Sequence, residues 1–294
     1  MNYRHRFHAG NFADVVKHAL LLQLVRGMQR KDTGFLYLDT HSGRGCYDLA
    51  AAAYGDTLAR RPEWPDGIGR LWGQSGLSPA VAEYVAAVRA CDDSRAEPAE
   101  ANVVRIALQF YPGSPWLVQQ QARPQDRLVF CEKQPEECTA LREDLALAPR
   151  TSVQAMDGYV ALRAMLPPPE KRALVLIDPS YEAQDEFAQI AAGLRDALVR
   201  FPSGVYAVWY PLTERARVDA FFEELGALPL PPTWVAELTV AGEASALKMK
   251  GCGLVVLNPP WQLDRDVNTW LPGLATCLAQ EPGGGATLRW LVPE

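Results

Sequence analysis

The stretch Leu174-Val-Leu-Ile-Asp-Pro-Ser-Tyr181 runs from four aliphatic residues directly into an acid, a proline, a serine and an aromatic residue. The apolar run is short and unbroken, and Pro179 ends it, which predicts a strand buried on both faces of a parallel sheet. Asp178 then stands at the carboxyl end of that strand. In open α/β sheets this edge is where ligands bind, so the stretch indicates both the fold and the position of a site.

The residues that leave this strand suit a planar base with an exocyclic amine. We predict that Asp178 and the Pro179 carbonyl accept the two amine hydrogens and that Tyr181 stacks on the ring. The alternative is a strand-end turn in which the aspartate is only a local cap, and these residues alone do not separate the two.

Composition and length describe an ordinary globular protein. The 294 residues fit one large domain or two small ones, with 48% hydrophobic and 22% charged residues. The sequence shows no secretory core and no run long enough to span a bilayer, so we expect a cytoplasmic protein without a membrane partner. The six cysteines form no CxxC pair and no spacing paired with histidine, so we expect reduced thiols and no metal.

The charge is unevenly distributed along the chain. The net charge is −6, but residues 1–31 carry six basic residues and one acid, which leaves −11 for the rest. A basic segment on an acidic body is compatible with one local phosphate-contacting surface and with poor non-specific affinity for nucleic acid. All four histidines also lie in the first 41 residues, which favours a site near this end.

The segment 1–30 predicts an arm followed by a helix. Residues 2–11 have no usable period, whereas the apolar residues of 13–29 predict a helix with Asn11 as its N-cap. Lys17 and His18 lie near the start of that helix. A solvated lysine beside a surface histidine is the simplest interpretation of this pair taken alone.

A strand and a glycine turn follow the helix. Residues 34–39 predict a buried strand, and Thr40-His-Ser-Gly-Arg-Gly45 is its exit turn. Glycines in such a turn permit positive φ and let a ligand approach the backbone closely. With an acid at the strand end and His41 inside the loop, we interpret the turn as nucleoside-binding. Glycines that serve only the turn are the alternative.

The chain between the first two predicted strands is longer than a parallel crossover needs. It contains helical patterns at 50–58, 69–72 and 79–91, separated by proline and glycine clusters. We therefore predict an inserted helical subdomain at 48–112 within a single domain that spans 1–294.

Strands and helices alternate beyond the insertion. Ser114 is the predicted N-cap of a helix that ends at about Gln121. Further strands are predicted at 127–132, 151–155, 174–177, 205–209, 235–240 and 254–257. The predicted fold is therefore α/β and Rossmann-like, with a mostly parallel seven-stranded sheet, helices on both faces and a helical insertion after the first strand.

Acids close four of the predicted strands, at Asp39, Glu132, Asp157 and Asp178. An acid after the second strand of a doubly wound fold typically binds ribose hydroxyls, which is the position of Glu132. We expect the acid after the third strand, Asp157, to receive an adenine amine. Four unrelated structural caps are the alternative.

Asn258-Pro-Pro-Trp261 also follows a buried strand, and its pattern looks more like an amine-recognition loop than Asp-Pro-Ser-Tyr does. Only 33 residues follow Trp261, too few for a cofactor-binding half, so a permuted arrangement is excluded. We interpret this loop as the exit of the last strand and expect Trp261 to pack in the core or near the site.

The order of strand, glycine turn, strand ending in Glu, strand ending in Asp-Gly and strand ending in Asp-Pro-x-Tyr resembles the Rossmann-like AdoMet-dependent amino-methyltransferases. Four motifs resemble the RlmJ family of 23S rRNA adenine N6-methyltransferases over essentially the whole chain. They are Tyr3-Arg-His-Arg-Phe-His-Ala-Gly-Asn-Phe-Ala-Asp-Val-Val-Lys-His18, Tyr37-Leu-Asp-Thr-His-Ser-Gly-Arg-Gly45, Tyr111-Pro-Gly-Ser-Pro115 and the final Trp-Leu-Val-Pro-Glu294. The first of them is highly specific.

The resemblance implies AdoMet as the cofactor and 23S rRNA as the partner. It places in the AdoMet pocket Lys17, His18, His41, Ser114, Glu132, Asp157, Gly158 and Asp178. It makes Asp178 the catalytic acceptor for the target amine and gives Tyr3, in the arm, a contact to the RNA. The family's commoner loop is Asp-Pro-Pro-Tyr, and Ser180 replaces its second proline here, so we expect a slightly less rigid loop and retained activity.

Two other functions are compatible with these patterns. An AdoMet-binding ribosome assembly factor would use the same fold without turnover, since fold does not fix function. The intact Asp178, Pro179 and Tyr181 argue against it. A DNA adenine or protein glutamine methyltransferase would share the loop, but the N-terminal motif favours RNA. No apolar interface stripe stands out in the sequence, so we expect a monomer.

Overall fold

One large sheet organises the chain, and helices cover both of its faces. The computed structural model describes residues 7–50, 61–95, 108–145 and 149–294. Its helices are α1 (Phe12–Gln29), α2 (Pro79–Arg95), α3 (Ser114–Gln121), α4 (Pro135–Asp144), α5 (Gly158–Met165), α6 (Glu186–Arg200), α7 (Arg215–Gly226) and α8 (Leu263–Leu278). Its strands are β1 (Leu36–Asp39), β2 (Cys46–Asp48), β3 (Phe110–Pro112), β4 (Arg127–Cys131), β5 (Thr151–Gln154), β6 (Ala173–Ile177), β7 (Val205–Leu212), β8 (Thr233–Thr239), β9 (Gly251–Leu257) and β10 (Gly285–Val292). Tyr3 and most of the helix predicted at 50–58 lie outside the described residues.

The large sheet has the strand order β10-β8-β9-β7-β6-β1-β4-β5. β1 pairs in parallel with β4 on one side and with β6 on the other, so that Asp39 lies opposite Phe130 and Leu176. β9 is antiparallel to both β7 and β8. The order reverses beside β1, since the chain continues from β1 to β4 and β5 and later returns to β6. Ligands of doubly wound sheets bind at such a reversal, outside the carboxyl ends of the strands.

The sheet has one strand more than the sequence predicted. We expected seven strands ending at 254–257, but in the described part of the chain eight strands join the sheet, and the eighth is β10. β10 is antiparallel to β8 at the edge of the sheet, and its side chains are half-buried or exposed. The alternating apolar residues Ala286, Leu288 and Trp290, which pack against the core, are the signal of a half-buried strand that the sequence analysis missed.

The predicted central strand is confirmed as β6, whose five residues are all buried. Its side chains alternate between two cores. Leu174 and Leu176 pack with α1 on one face, whereas Val175 and Ile177 pack with α5, α6 and α7 on the other. Burial of each such side chain stabilises the fold by about 1.5 to 3 kcal/mol. Both cores therefore hold β6 in place and fix the position of the residue that follows it.

α1 begins where the sequence predicted. Asn11 is its N-cap, and the Asn11 side chain accepts a hydrogen bond from the Asp14 N–H. The interpretation of Lys17 and His18 as a solvated pair is wrong, because they are only 6% and 1% exposed. The helix lies across the sheet face beside β6, and this packing also covers Asp14, Lys17 and His18 in its first two turns.

In the chain between β1 and β4, strands β2 and β3 form a short antiparallel pair, in which Cys46 lies opposite Pro112. The predicted helix at 79–91 is confirmed and continues to Arg95 as α2. The helix predicted at 69–72 is instead a 3-10 turn at Ile68–Arg70. That these elements form a separate subdomain stays a prediction. None of the described helices is long and apolar enough to cross a membrane.

Candidate active site

Asp178 follows β6 directly, and its carboxylate binds a lysine from α1. Lys17 Nζ lies 2.6 Å from Asp178 Oδ2 and 2.8 Å from Asp14 Oδ1. Burial lowers the pKa of Lys17, but the two carboxylates outweigh it and hold that pKa well above its usual value. The lysine is therefore a cation, and the three side chains together carry a formal charge of −1 when both acids are ionised.

The loop after Asp178 is fixed by Tyr181. This residue adopts a left-handed backbone conformation, with φ of +54°. Its hydroxyl donates a hydrogen bond to the Trp209 carbonyl at 2.5 Å. Its ring centroid lies 5.0 Å from that of Phe187 and 5.7 Å from that of Trp209. The ring is half-buried in an aromatic cluster beside the site, and its stacking on a base stays a prediction.

A buried carboxylate lies at the end of β1. Asp39 is 0% exposed, and its Oδ2 accepts hydrogen bonds from Ser114 Oγ at 2.7 Å and from the Tyr37 hydroxyl at 3.1 Å. Burial raises the pKa of Asp39 to about 6, although the Ser114 hydrogen bond opposes the rise. Asp39 thus links the end of β1 to the start of α3, directly before the glycine turn in the sequence.

The structure corrects the predicted role of Ser114. The N-cap of α3 is Gly113, and the Ser114 side chain makes the bond to Asp39 instead of capping the helix. A Cβ atom at Gly113 would lie 2.1 Å from the Arg44 carbonyl oxygen. The helix thus begins at Ser114, one residue earlier than predicted. Only glycine fits at its N-cap position, against the turn that leaves β1.

Glu132, at the end of β4, is bound to the glycine turn. Its Oε2 accepts the Gly43 N–H at 2.9 Å, and its Oε1 accepts the Gln134 N–H at 2.7 Å. Burial raises the pKa of Glu132 above its ordinary value. Each carboxylate oxygen has a second lone pair that a ribose hydroxyl can use.

Asp157 and Gly158 begin α5. Asp157 is the N-cap and accepts the Tyr159 N–H at 2.9 Å, and it also pairs with Lys133 at 2.9 Å. Burial favours a higher pKa for Asp157, but the Lys133 and backbone hydrogen bonds outweigh it and lower that pKa. A Cβ atom at Gly158 would lie 2.2 Å from the Thr40 carbonyl oxygen, so α5 packs tightly against the exit of β1.

The two predicted histidines lie in different surroundings. His18 is 1% exposed, and its Nδ1 lies 2.9 Å from the Tyr111 hydroxyl, between α1 and β3. His41 is at the sheet edge, with Nδ1 2.8 Å from Thr40 Oγ1, and burial lowers its pKa to about 4. The structure thus places His41 beside the acids, whereas His18 joins helix α1 to the inserted segment.

The four strand-end acids are brought together at one edge of the sheet, because β1, β4, β5 and β6 are parallel. Trp261 is not at this edge. β9 runs in the opposite direction, so Leu257 lies opposite Tyr206 and Thr233, and the chain leaves β9 at the amino ends of the parallel strands. Trp261 is 67% exposed there. The expectation that it packs in the core or near the site is wrong.

Asp14 is the contact that the sequence analysis missed. Residues three apart share a helix face, so the spacing of Asp14 and Lys17 was the available signal. Asp39 was noticed as a strand-end acid but was not assigned to the site. Within the described ranges, no three His, Cys, Asp or Glu side chains are grouped so that they could hold a metal ion.

The strand order, the acids at the carboxyl edge and the glycine turn define a Rossmann-like AdoMet-dependent methyltransferase. The model of the family described as "Ribosomal RNA large subunit methyltransferase D, RlmJ" matches residues 32–292. The chain therefore belongs to the RlmJ family, which confirms the resemblance seen in its motifs.

Relatives of similar length support this assignment. Two curated proteins named "Ribosomal RNA large subunit methyltransferase J", from Escherichia coli (strain K12) and Haemophilus influenzae, are each 35% identical to this chain over 294 residues, which is 100% of this chain and 100% of each relative. A crystal structure of a Legionella pneumophila protein superposes with a TM-score of 0.82 at 33% identity. That match covers 98% of this chain and 99% of the other, so the fold is shared over almost the whole length.

Proposed function

We propose that the protein transfers the methyl group of AdoMet to N6 of a specific adenine in 23S rRNA. The observation that carries the proposal is Asp178, held at the carboxyl end of β6 and followed by Pro179 and Tyr181. The rRNA methyltransferase names of the full-length relatives support RNA as the substrate. The basic residues of 1–31 are compatible with phosphate contacts.

The residues at the sheet edge fit AdoMet. Glu132 offers carboxylate lone pairs to ribose hydroxyls, and Asp157 offers an acceptor to the adenine amine. Gly43, with φ of +62°, shapes the turn that leaves β1, and Gly158 lets the start of α5 pack against the same turn. We place Lys17, His18, His41 and Ser114 in or around the same pocket. When bound, AdoMet supplies an electrophilic methyl group on its sulfonium.

Asp178 and the Pro179 carbonyl would act on the target amine. The lone pair of an adenine amine is delocalised into the ring, so the amine is a poor nucleophile. Two acceptors that bind its hydrogens draw the nitrogen toward tetrahedral geometry and direct its lone pair at the methyl group. As the carbon–nitrogen bond forms, the amine becomes positively charged. The amine then loses a proton, and Asp178 is the acceptor that faces this proton.

The target base has to leave its stack to reach this edge, at a cost of about a few kcal/mol. Stacking on Tyr181 would offset part of that cost, since base–aromatic stacking is worth about 1 to 3 kcal/mol. We propose that the arm, including Tyr3, contacts the RNA backbone or the base. We further propose that the protein works as a monomer in the cytoplasm and needs no metal.

Labelled methyl transfer from AdoMet to protein-free 23S rRNA tests the proposal, with 16S rRNA and duplex DNA in parallel. We expect label in one adenine of 23S rRNA and none with the Asp178→Ala variant. Label in DNA would instead indicate a DNA adenine methyltransferase. AdoMet binding without label on any of the three nucleic acids would contradict the proposal. It would favour either an AdoMet-binding assembly factor without turnover or a methyltransferase with a protein substrate.

A further inference from the structure

Asp14 is held in one orientation at the start of α1. Its backbone N–H donates to Asn11 Oδ1 at 3.0 Å, and its Oδ2 accepts the Gly10 N–H at 3.0 Å. Its Oδ1 faces Lys17 at 2.8 Å. The side chain is only 4% exposed, and the amino end of a helix favours a negative charge. Asp14 is thus a fixed, buried acceptor beside the Lys17 ammonium.

The charge of this cluster matters for a methyl transfer to an amine. Lys17 and Asp178 by themselves form a neutral pair, which offers no net attraction to an amine that becomes positively charged. The Lys17 ammonium, 2.6 Å from Asp178 Oδ2, also competes with the target amine for that carboxylate. Asp14 changes both conditions, because it gives the cluster a net negative charge and offers the ammonium a second acceptor.

We propose that Asp14 is a positioning residue for methyl transfer, which holds the Lys17 ammonium while the Asp178 carboxylate receives the target amine. The inference rests on the proposed function. Because Lys17 already touches both carboxylates, it can shift toward Asp14 without losing its last partner. A buried ammonium with no partner is costly, so the second carboxylate makes the exchange accessible.

The test compares Asp14→Asn with Asp126→Asn in the full-length protein. Asp126 is a matched control, because its carboxylate is also buried, at 0% exposure, and it pairs with Arg123 at the same i, i+3 spacing. It precedes β4, at the opposite edge of the sheet. The measurements are kcat and KM for methyl transfer to 23S rRNA, the AdoMet dissociation constant by calorimetry, and the urea midpoint.

We expect Asp14→Asn to lower kcat by about tenfold or more, with KM and AdoMet affinity within about twofold of the wild-type values. Asp126→Asn should lower the urea midpoint and leave kcat within about twofold of wild type. Asp14→Glu restores the charge and should recover part of kcat. If the asparagine variant does not fold, Asp14→Ser removes the charge and keeps a side-chain acceptor for the Gly10 N–H.

A wild-type kcat in Asp14→Asn would overturn the inference. So would a loss of kcat that comes with an equal loss of AdoMet affinity, or one that Asp126→Asn reproduces, because either result would show a merely structural role. Failure of the proposed function is seen separately, in the wild-type reaction. A wild-type protein that binds AdoMet and methylates no RNA would overturn that function and this inference together.

Discussion

The Ser114 hydroxyl donates a 2.7 Å hydrogen bond to Asp39 Oδ2, although 75 positions of sequence separate the two residues. Asp39 is fully buried, and the bond connects the end of β1 to the first turn of α3. The carboxylate is thus part of the framework that holds the glycine turn. The pKa of Asp39 therefore reports how strongly burial at this position disfavours the ionised carboxylate.

Asp39 should make the stability of the protein fall as the pH rises from about 4 to 6. Its pKa is about 6 in the folded protein and about 3.9 in an unfolded chain, so the folded state retains the proton over that window. A shift of about two pH units corresponds to about 3 kcal/mol, reached near pH 6 and constant above it. Urea unfolding of wild type and Asp39→Asn at pH 4.5 to 7 measures this, and the Asn variant should gain relative to wild type as the pH rises. A difference that does not change with pH would contradict the prediction.

Lys17→Met should destabilise the protein by about 3 kcal/mol at pH 7, because it removes the ammonium between two carboxylates that are 4% and 16% exposed. Lys133→Met is the matched control. Lys133 is 68% exposed in its pair with Asp157, and an exposed pair contributes less than about 1 kcal/mol. Denaturant unfolding gives the free energy of unfolding of both variants. Equal losses of this free energy would show that burial does not make the Lys17 ion pairs more stabilising than an exposed pair.

The sequence predicted β6, α1 and the acids at the strand ends because their signals are local. A continuous apolar run, an N-cap and an acid followed by a turn are each visible within a few residues. The contact between Lys17 and Asp178 was not visible, since it depends on how α1 lies across the sheet. The predicted position of Trp261 was wrong for a related reason. Its motif resembles an amine-binding loop, but the direction of β9 decides which edge the motif occupies.

Gly158→Ala should weaken AdoMet binding by about tenfold or more, because the new methyl group would meet the Thr40 backbone and move α5 away from the site. Gly273→Ala is the control, since a Cβ atom there meets nothing within 4 Å and alanine favours the helix interior by about 1 kcal/mol. Calorimetric titration with AdoMet gives both affinities. Unchanged affinity in Gly158→Ala would show that α5 adjusts without displacing the cofactor residues.

Tyr181→Phe and Tyr181→Ala separate the ring of this residue from its hydroxyl. Each variant keeps a Cβ atom at the positive φ of +54°, so backbone strain is the same in all three proteins. The phenylalanine variant loses only the hydrogen bond to the Trp209 carbonyl, and we expect kcat/KM for 23S rRNA within about threefold of wild type. The alanine variant loses the stacking surface, worth about 1 to 3 kcal/mol, and kcat/KM should fall by about ten- to a hundredfold. If phenylalanine is as damaging as alanine, the hydrogen bond that fixes the loop, and not stacking on the base, is what the tyrosine contributes.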